Sequence, residues 1–172
     1  MSNYKRVYLE GGVYFFTVVT HNRRPVFHLP QHIDRLRKAF KEIKNSRPFV
    51  MDAIVILPDH IHCIWQLPSG DADFSTRWRL IKRYFSTGVD AALNSKGEKR
   101  IWQRRFWEHL IRDEDDWRKH MDYIHYNPVK HGYVSHPGLW PHGSFHRAVE
   151  RGWYGSDWGK NEPEAIQNLD LE

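Results

Sequence analysis

The sequence predicts an α+β fold: a ferredoxin-like antiparallel sheet covered by helices, followed by a C-terminal helix and an irregular tail. Three observations carry that expectation. The segments read strand, helix, strand, strand, helix, strand, helix, which is βαββαβ with one helix added. The second and third strands are separated only by Pro58-Asp59, a tight-turn signal, so they should pair as a hairpin. The third strand alternates strictly: His60, His62, Ile64 and Gln66 fall on one side, Ile61, Cys63, Trp65 and Leu67 on the other.

Residues 13–20 (VYFFTVVT) are β-branched and aromatic and too few for a helix, so they read as a central strand. In 31–45, Ile33, Leu36, Phe40 and Ile43 recur at helical steps, with Arg35, Lys38, Lys41 and Lys44 off the stripe. Arg47-Pro48 ends that helix, and 49–57 form the second strand. A helix is expected over 74–93, on Trp78, Ile81, Phe85, Val89 and Leu93. Residues 101–111 (IWQRRFWEHLI) read as the fourth strand, with the rings in the core or on a DNA-facing surface. The last helix, 113–127, opens on four acids, as the helix dipole prefers, and should end near Asn127 because Pro128 follows. Beyond 135, repeated Gly and Pro leave an irregular tail.

The chain has 172 residues, enough for one domain with a sizeable core, and its apolar fraction of 40% excludes a disordered chain. The net charge is +5 and the pI about 9.3. Residues 153–172 hold five acids and one base, so a basic domain, 1–152, precedes an acidic tail, 153–172. A basic body with 8 Trp, 8 Tyr and 9 Phe suits nucleic acid, single strands above all, whose open bases stack on rings. Cys63 is the single cysteine, which excludes a disulfide framework and a cysteine-based zinc site. No apolar run approaches a membrane span and no secretory signal is legible, so no membrane association and a cytoplasmic location are expected.

A strand puts residues i and i+2 on one face, so His60 and His62 can reach one metal ion or one phosphate. The same pattern fits a half-exposed strand with two incidental histidines. The last helix breaks the tie: Tyr123 and Asn127, four apart, share a face. Two imidazoles and an amide oxygen leave room on Mg2+ or Mn2+ for phosphate oxygens, Mn2+ suiting imidazole better. Beside such an ion a tyrosine becomes a useful nucleophile toward a phosphodiester. Asp59 belongs to the turn but could orient a histidine. His125, His131, His136, His142 and His146 share no face with the strand pair and are not expected as ligands. The expected DNA contacts are Arg23, Arg24, Arg77, Arg79, Lys82, Arg83, Arg104 and Arg105.

His60-Ile61-His62 resembles the His-hydrophobic-His motif of the HUH single-strand endonucleases. Three ordered blocks are more specific: residues 57–65 (LPDHIHCIW), 105–109 (RFWEH), and Asp122-Tyr123-Ile124 with 127–132 (NPVKHG). Together they resemble the REP-associated tyrosine transposases over about residues 4–158. That resemblance implies a bacterial, nucleoid-associated, monomeric or weakly dimeric enzyme. It implies cutting of repetitive extragenic palindromes (REPs) as single-stranded hairpins, with Tyr123 as nucleophile and His60, His62 and Asn127 as metal ligands. It also implies a 5′-phosphotyrosine intermediate, rejoining by a 3′-OH, and a C-terminal tail able to approach the site. Acidic residues in 162–172 would damp activity by competing with DNA for basic surface. A hairpin-binding protein that no longer cuts, and a phosphodiesterase that uses water, remain open alternatives.

Overall fold

The computed structural model describes residues 4–172. Four antiparallel strands form one open sheet: β1 (Val13–Val19), β2 (Val50–Ile56), β3 (His60–Gln66) and β4 (Trp107–Leu110), in spatial order β2-β3-β1-β4. Helices α1 (Pro30–Ser46), α2 (Phe74–Thr87) and α3 (Glu114–Lys130) cover it, and a short α4 (Phe145–Glu150) follows. This is the ferredoxin-like order expected, with β2 and β3 paired as a hairpin.

The period of two divides the sheet into two different faces. Tyr14, Phe16 and Val18 of β1 and Ile61, Cys63 and Trp65 of β3 face α1 and α2, where they meet Leu36, Phe40, Trp78, Ile81 and Phe85. That side is an aromatic scaffold. Trp65 stacks on Trp78 at 4.5 Å and on Phe49 at 4.2 Å, each contact worth about 0.5–1.5 kcal/mol beyond the area buried. Phe15, Val55 and Ile64 face the other way, onto Met121, Tyr123 and Ile124 of α3 and Ile166 of the tail. Since β3 is central and covered on both sides, His60 and His62 are buried, at 2% and 0% exposure. The half-exposed alternative is thereby overturned.

Three expected boundaries move. The fourth strand is only Trp107–Leu110. Gln103 N–H still bonds the Val19 carbonyl (2.9 Å), but Arg104 and Arg105 turn to solvent and the chain leaves the sheet edge there. Helix α2 stops at Thr87, not at 93, because Arg35 of α1 bonds the Tyr84 and Phe85 carbonyls (2.6 and 2.8 Å). A Cβ at Gly88 would lie 1.9 Å from that guanidinium carbon, so a larger residue there would have to displace the Arg35 side chain from the helix end. Helix α3 runs through Pro128 to Lys130, past its expected end. Pro128 removes one N–H, but Asn127 and Pro128 are both buried, and the ladder resumes with His131 N–H on the Asn127 carbonyl (3.0 Å). Packing outweighs the local preference, and the extra turn delivers Lys130 and His131 to the site described below.

One expected DNA contact is corrected here. Arg77 is 1% exposed. Its guanidinium bonds both Asp71 carboxylate oxygens (3.0 and 2.7 Å) and the carbonyls of Arg47, Pro48 and Asp73. It ties the start of α2 to the loop after α1 and cannot reach DNA. Basic residues are usually solvated, and nothing in a helical stripe tells which one turns inward. Arg77→Met should therefore destabilise the fold by about 3 kcal/mol in urea unfolding, whereas Arg79→Ala, at an exposed position, should stay within about 0.5 kcal/mol.

Candidate active site

The pairing of β3 with β1 sets the site. His62 lies opposite Thr17 in the register, and its Nδ1 is 2.9 Å from the Thr17 hydroxyl. That hydroxyl donates its one proton to the Leu171 carbonyl (2.7 Å), so it must accept from His62 Nδ1–H. Asp59, in the hairpin turn, accepts from His60 Nδ1–H at 2.6 Å. Both imidazoles are thus held with Nε2 turned into the same space as a lone-pair atom.

Helix α3 closes that space. The Tyr123 ring stands edge-on to His62, with centroids 5.2 Å apart, and Asn127 follows one turn on. His60 Nε2, His62 Nε2 and Asn127 Oδ1 are all buried without a hydrogen-bond partner. Each such atom costs on the order of 1–3 kcal/mol, and three that converge call for a shared partner. Two imidazole nitrogens and an amide oxygen, with the nitrogens oriented by Asp59 and Thr17, fit a divalent cation that accepts mixed N/O donors.

The last residue of the chain enters this set. Glu172 Oε1 lies 3.6 Å from His60 Nε2 and 3.8 Å from His62 Nε2, making these three a group able to hold a metal ion. The same oxygen accepts from His131 Nε2 (2.5 Å), Tyr123 OH (3.4 Å) and Asn127 Nδ2 (3.4 Å). Leu171 N–H bonds the Tyr123 oxygen at 3.2 Å, and Lys130 Nζ bonds the Leu169 carbonyl at 3.0 Å. The tail, expected to be able to approach the site, does so: Glu172 sits among its donor atoms.

Electrostatics follow from burial and from that carboxylate. Burial pushes the Tyr123 phenol well above its ordinary range, and the Glu172 and Asp170 carboxylates push further. With the tail in place, the phenol stays protonated. Burial lowers the His62 pKa to about 4. Burial acts the same way on His60, but its hydrogen bond to Asp59 and the nearby Glu172 carboxylate outweigh it and raise the pKa. Burial alone would raise Glu172, yet its contacts with His131, His60 and His62 hold it far below the carboxylate range.

His131 corrects an expectation. In the sequence it has no face in common with the strand pair, but the turn beyond Pro128 brings its ring to 5.5 Å from His60. Tyr126 packs against Trp158 at the other side of α3, away from the imidazoles. A second cluster, His109, Asp116 and His120, is already engaged internally. Asp116 Oδ2 bonds His109 Nε2 (2.8 Å) and the Arg112 backbone N–H (3.0 Å), and His120 Nδ1 bonds the Asp116 carbonyl (2.7 Å), fastening β4 to α3.

Of the expected DNA contacts, Arg23, Arg24, Arg79, Arg83, Arg104 and Arg105 are exposed. Arg23 stands beside the site, 3.2 Å from Asp59 Oδ2. Lys82, Arg83 and Arg104 line an open cleft of about 960 Å³, which Lys96, Lys99 and Arg100 extend. The Lys82 ammonium bonds the Gln103 carbonyl (3.1 Å), and burial lowers its pKa to about 8. The loop residues Lys96, Lys99 and Arg100 line the same cleft without any periodic signal in the sequence to mark them.

The site thus sets a strand-borne histidine pair against a helix-borne tyrosine and asparagine. The model of the family "Transposase IS200 like" matches residues 10–127. A REP-associated tyrosine transposase of Escherichia coli (strain K12) is 51% identical over 92% of this chain and 91% of its own. A "Putative REP-associated tyrosine transposase" of Haemophilus influenzae is 45% identical over 94% of this chain and 95% of its own. A solved REP-associated tyrosine transposase, described as bound to a REP hairpin, superposes with a TM-score of 0.82 at 47% identity, covering 99% of each chain. The chain belongs to the IS200-like transposase family and, within it, to the REP-associated tyrosine transposases, a class of DNA-cleaving enzymes.

Asp59→Asn should weaken Mn2+ binding about tenfold or more without lowering the melting temperature appreciably, as measured by calorimetry on the DNA-free protein.

Proposed function

We propose that this enzyme cuts and rejoins single-stranded DNA at REP hairpins through a 5′-phosphotyrosine on Tyr123, with His60, His62 and Asn127 holding Mg2+ or Mn2+. The observation that carries this is the Tyr123 phenol beside three buried donor atoms that lack partners. The bound cation would polarise the phosphodiester and stabilise the charge developing on the departing oxygen. The Tyr123 oxygen attacks phosphorus and gives up its proton. The P–O3′ bond breaks, and the 3′ oxygen takes up a proton to leave as a free 3′-OH. The ester is conserved in the tyrosyl link, so a 3′-OH can reverse the step and reseal DNA without ATP.

The hairpin substrate is supported by the relative described as bound to a REP hairpin, so similar over its full length. Arg24, Arg79, Lys82, Arg83, Arg104 and Arg105, with the cleft around Lys96 and Arg100, would track its backbone. Residues 1–152 would form the nuclease domain, acting on chromosomal DNA in the cytoplasm as a monomer or weak dimer. Residues 153–172 would be its regulatory extension. Among the described residues no helix is long and apolar enough to cross a membrane.

Glu172 bears on the runner-up reading, a protein that binds hairpins without cutting. With the tail inserted, the phenol is engaged by Leu171 N–H and Glu172, and the donor set faces a carboxylate. This arrangement binds DNA at its basic surface and holds the chemistry off until the tail withdraws.

A labelled single-stranded palindrome with its 5′ flank, incubated with Mn2+ and run on a denaturing gel, tests the proposal. Wild type and Tyr126→Phe should give a slow covalent band that Tyr123→Phe lacks; cleavage surviving Tyr123→Phe would point to attack by water. On the same gel, Glu172→Ala should increase the covalent product about tenfold, the scale of one lost charge-assisted contact.

A further inference from the structure

We infer that the Glu172 carboxylate marks the seat of the scissile phosphate, and that His131 and Arg23 hold that phosphate when DNA enters. This rests on the reading of Tyr123 as nucleophile.

A carboxylate oxygen and a non-bridging phosphate oxygen offer the same chemistry: negative charge and lone pairs for N–H donors. Glu172 Oε1 lies 3.4 Å from the Tyr123 oxygen and 3.6 and 3.8 Å from the two Nε2 atoms, where a phosphate attacked by that phenol has to be. Its shortest bond, at 2.5 Å, comes from His131 Nε2. The other oxygen, Oε2, lies 4.0 Å from the Arg23 guanidinium.

His131 serves the anion and not the cation. Two ligands of one first-row ion lie within about 4.4 Å of each other. The ligand atoms found mutually within 4.8 Å are those of His60, His62 and Glu172, a group that excludes His131. The imidazole is braced on both sides, edge-on to His60 and against Tyr133 (5.9 Å), which stacks on Trp140 (5.4 Å). A neutral ring donating from Nε2 is enough for the contact.

Arg23 is aimed by strained backbone. Asn22 and Arg23 both have positive φ, +53° and +49°, a costly conformation for two consecutive residues other than glycine. Bonds from Arg23 N–H to the Thr20 carbonyl (3.1 Å) and from Arg24 N–H to the His21 carbonyl (3.3 Å) hold it. Asp59 then links this arm to the site, taking Arg23 on Oδ2 and His60 on Oδ1. A loop under such constraint suits a clamp more than a solvated surface charge.

The test separates a phosphate clamp from a mere anchor for the tail, because the two predict opposite changes. Full-length Glu172→Ala is compared with His131→Gln/Glu172→Ala and Arg23→Met/Glu172→Ala in single-turnover cleavage of the palindromic oligonucleotide with Mn2+. Mn2+ affinity without DNA is measured by electron paramagnetic resonance. The inference predicts cleavage 10- to 100-fold slower, on the order seen when one donor to a reacting oxygen is removed, in each double variant at saturating oligonucleotide, with Mn2+ affinity retained. Double variants as fast as Glu172→Ala, together with His131→Gln alone speeding cleavage, would make His131 only a tail anchor and overturn it. Weakened Mn2+ binding in His131→Gln/Glu172→Ala would make His131 a metal ligand and overturn it too. If Glu172→Ala itself forms no Tyr123-dependent adduct, the underlying reading fails, and that outcome is distinct on the same gel.

Discussion

The burial of two imidazoles with both Nε2 atoms unpartnered is the constraint on which the rest of this structure depends. A surface histidine finds water; these two cannot, because β3 is central and covered on both faces. Their Nδ1 atoms are already committed, to Asp59 and to Thr17. Leaving the other nitrogens and the Asn127 oxygen without partners costs several kcal/mol in a protein of ordinary marginal stability. Such an arrangement makes sense as a ligand set poised for a cation and a substrate oxygen.

The two faces of the sheet divide the labour. The face against α1 and α2 is packed with aromatic rings and supplies stability. The face against α3 holds polar groups in fixed directions, and the first face makes that possible. Thr17, His60 and His62 can be positioned closely because Phe16, Ile61, Cys63 and Trp65, their neighbours along the same strands, are locked on the other side. Helix α3 contributes three successive turns to one side of the site: Tyr123, Asn127, then Lys130 with His131.

Much of this was legible from residue order. Alternation placed His60 and His62 on one face, and a four-residue step aligned Tyr123 with Asn127, because these are local periodicities that tertiary contacts do not alter. The strand–helix order likewise determined which faces meet. What escaped reading depends on contacts distant in sequence. Arg77 looks like its exposed neighbours until Asp71 and the Arg47 carbonyl are seen around it. Arg35 ends α2 from another helix. His131 was hidden behind Pro128, a sound local stop signal overridden by burial of the turn that contains it. Thr17 could have been suspected as the cross-strand partner of His62, had the register been known. Glu172 gave no signal beyond the acidity of the tail, and its route into the site depends on Ile166 and Leu171 packing over α3.

On the proposed reading the tail carboxylate and a substrate phosphate compete for one seat, so withdrawal of residues 169–172 and entry of DNA would be linked events. The most direct measurement of the central claim is tandem mass spectrometry of the tryptic peptide spanning residues 120–130, after reaction of the Glu172→Ala protein with a single-stranded REP oligonucleotide and nuclease trimming. The account predicts a residual nucleotide on Tyr123 through a 5′-phosphate. A nucleotide on Tyr126, or cleaved DNA with an unmodified peptide, would contradict it.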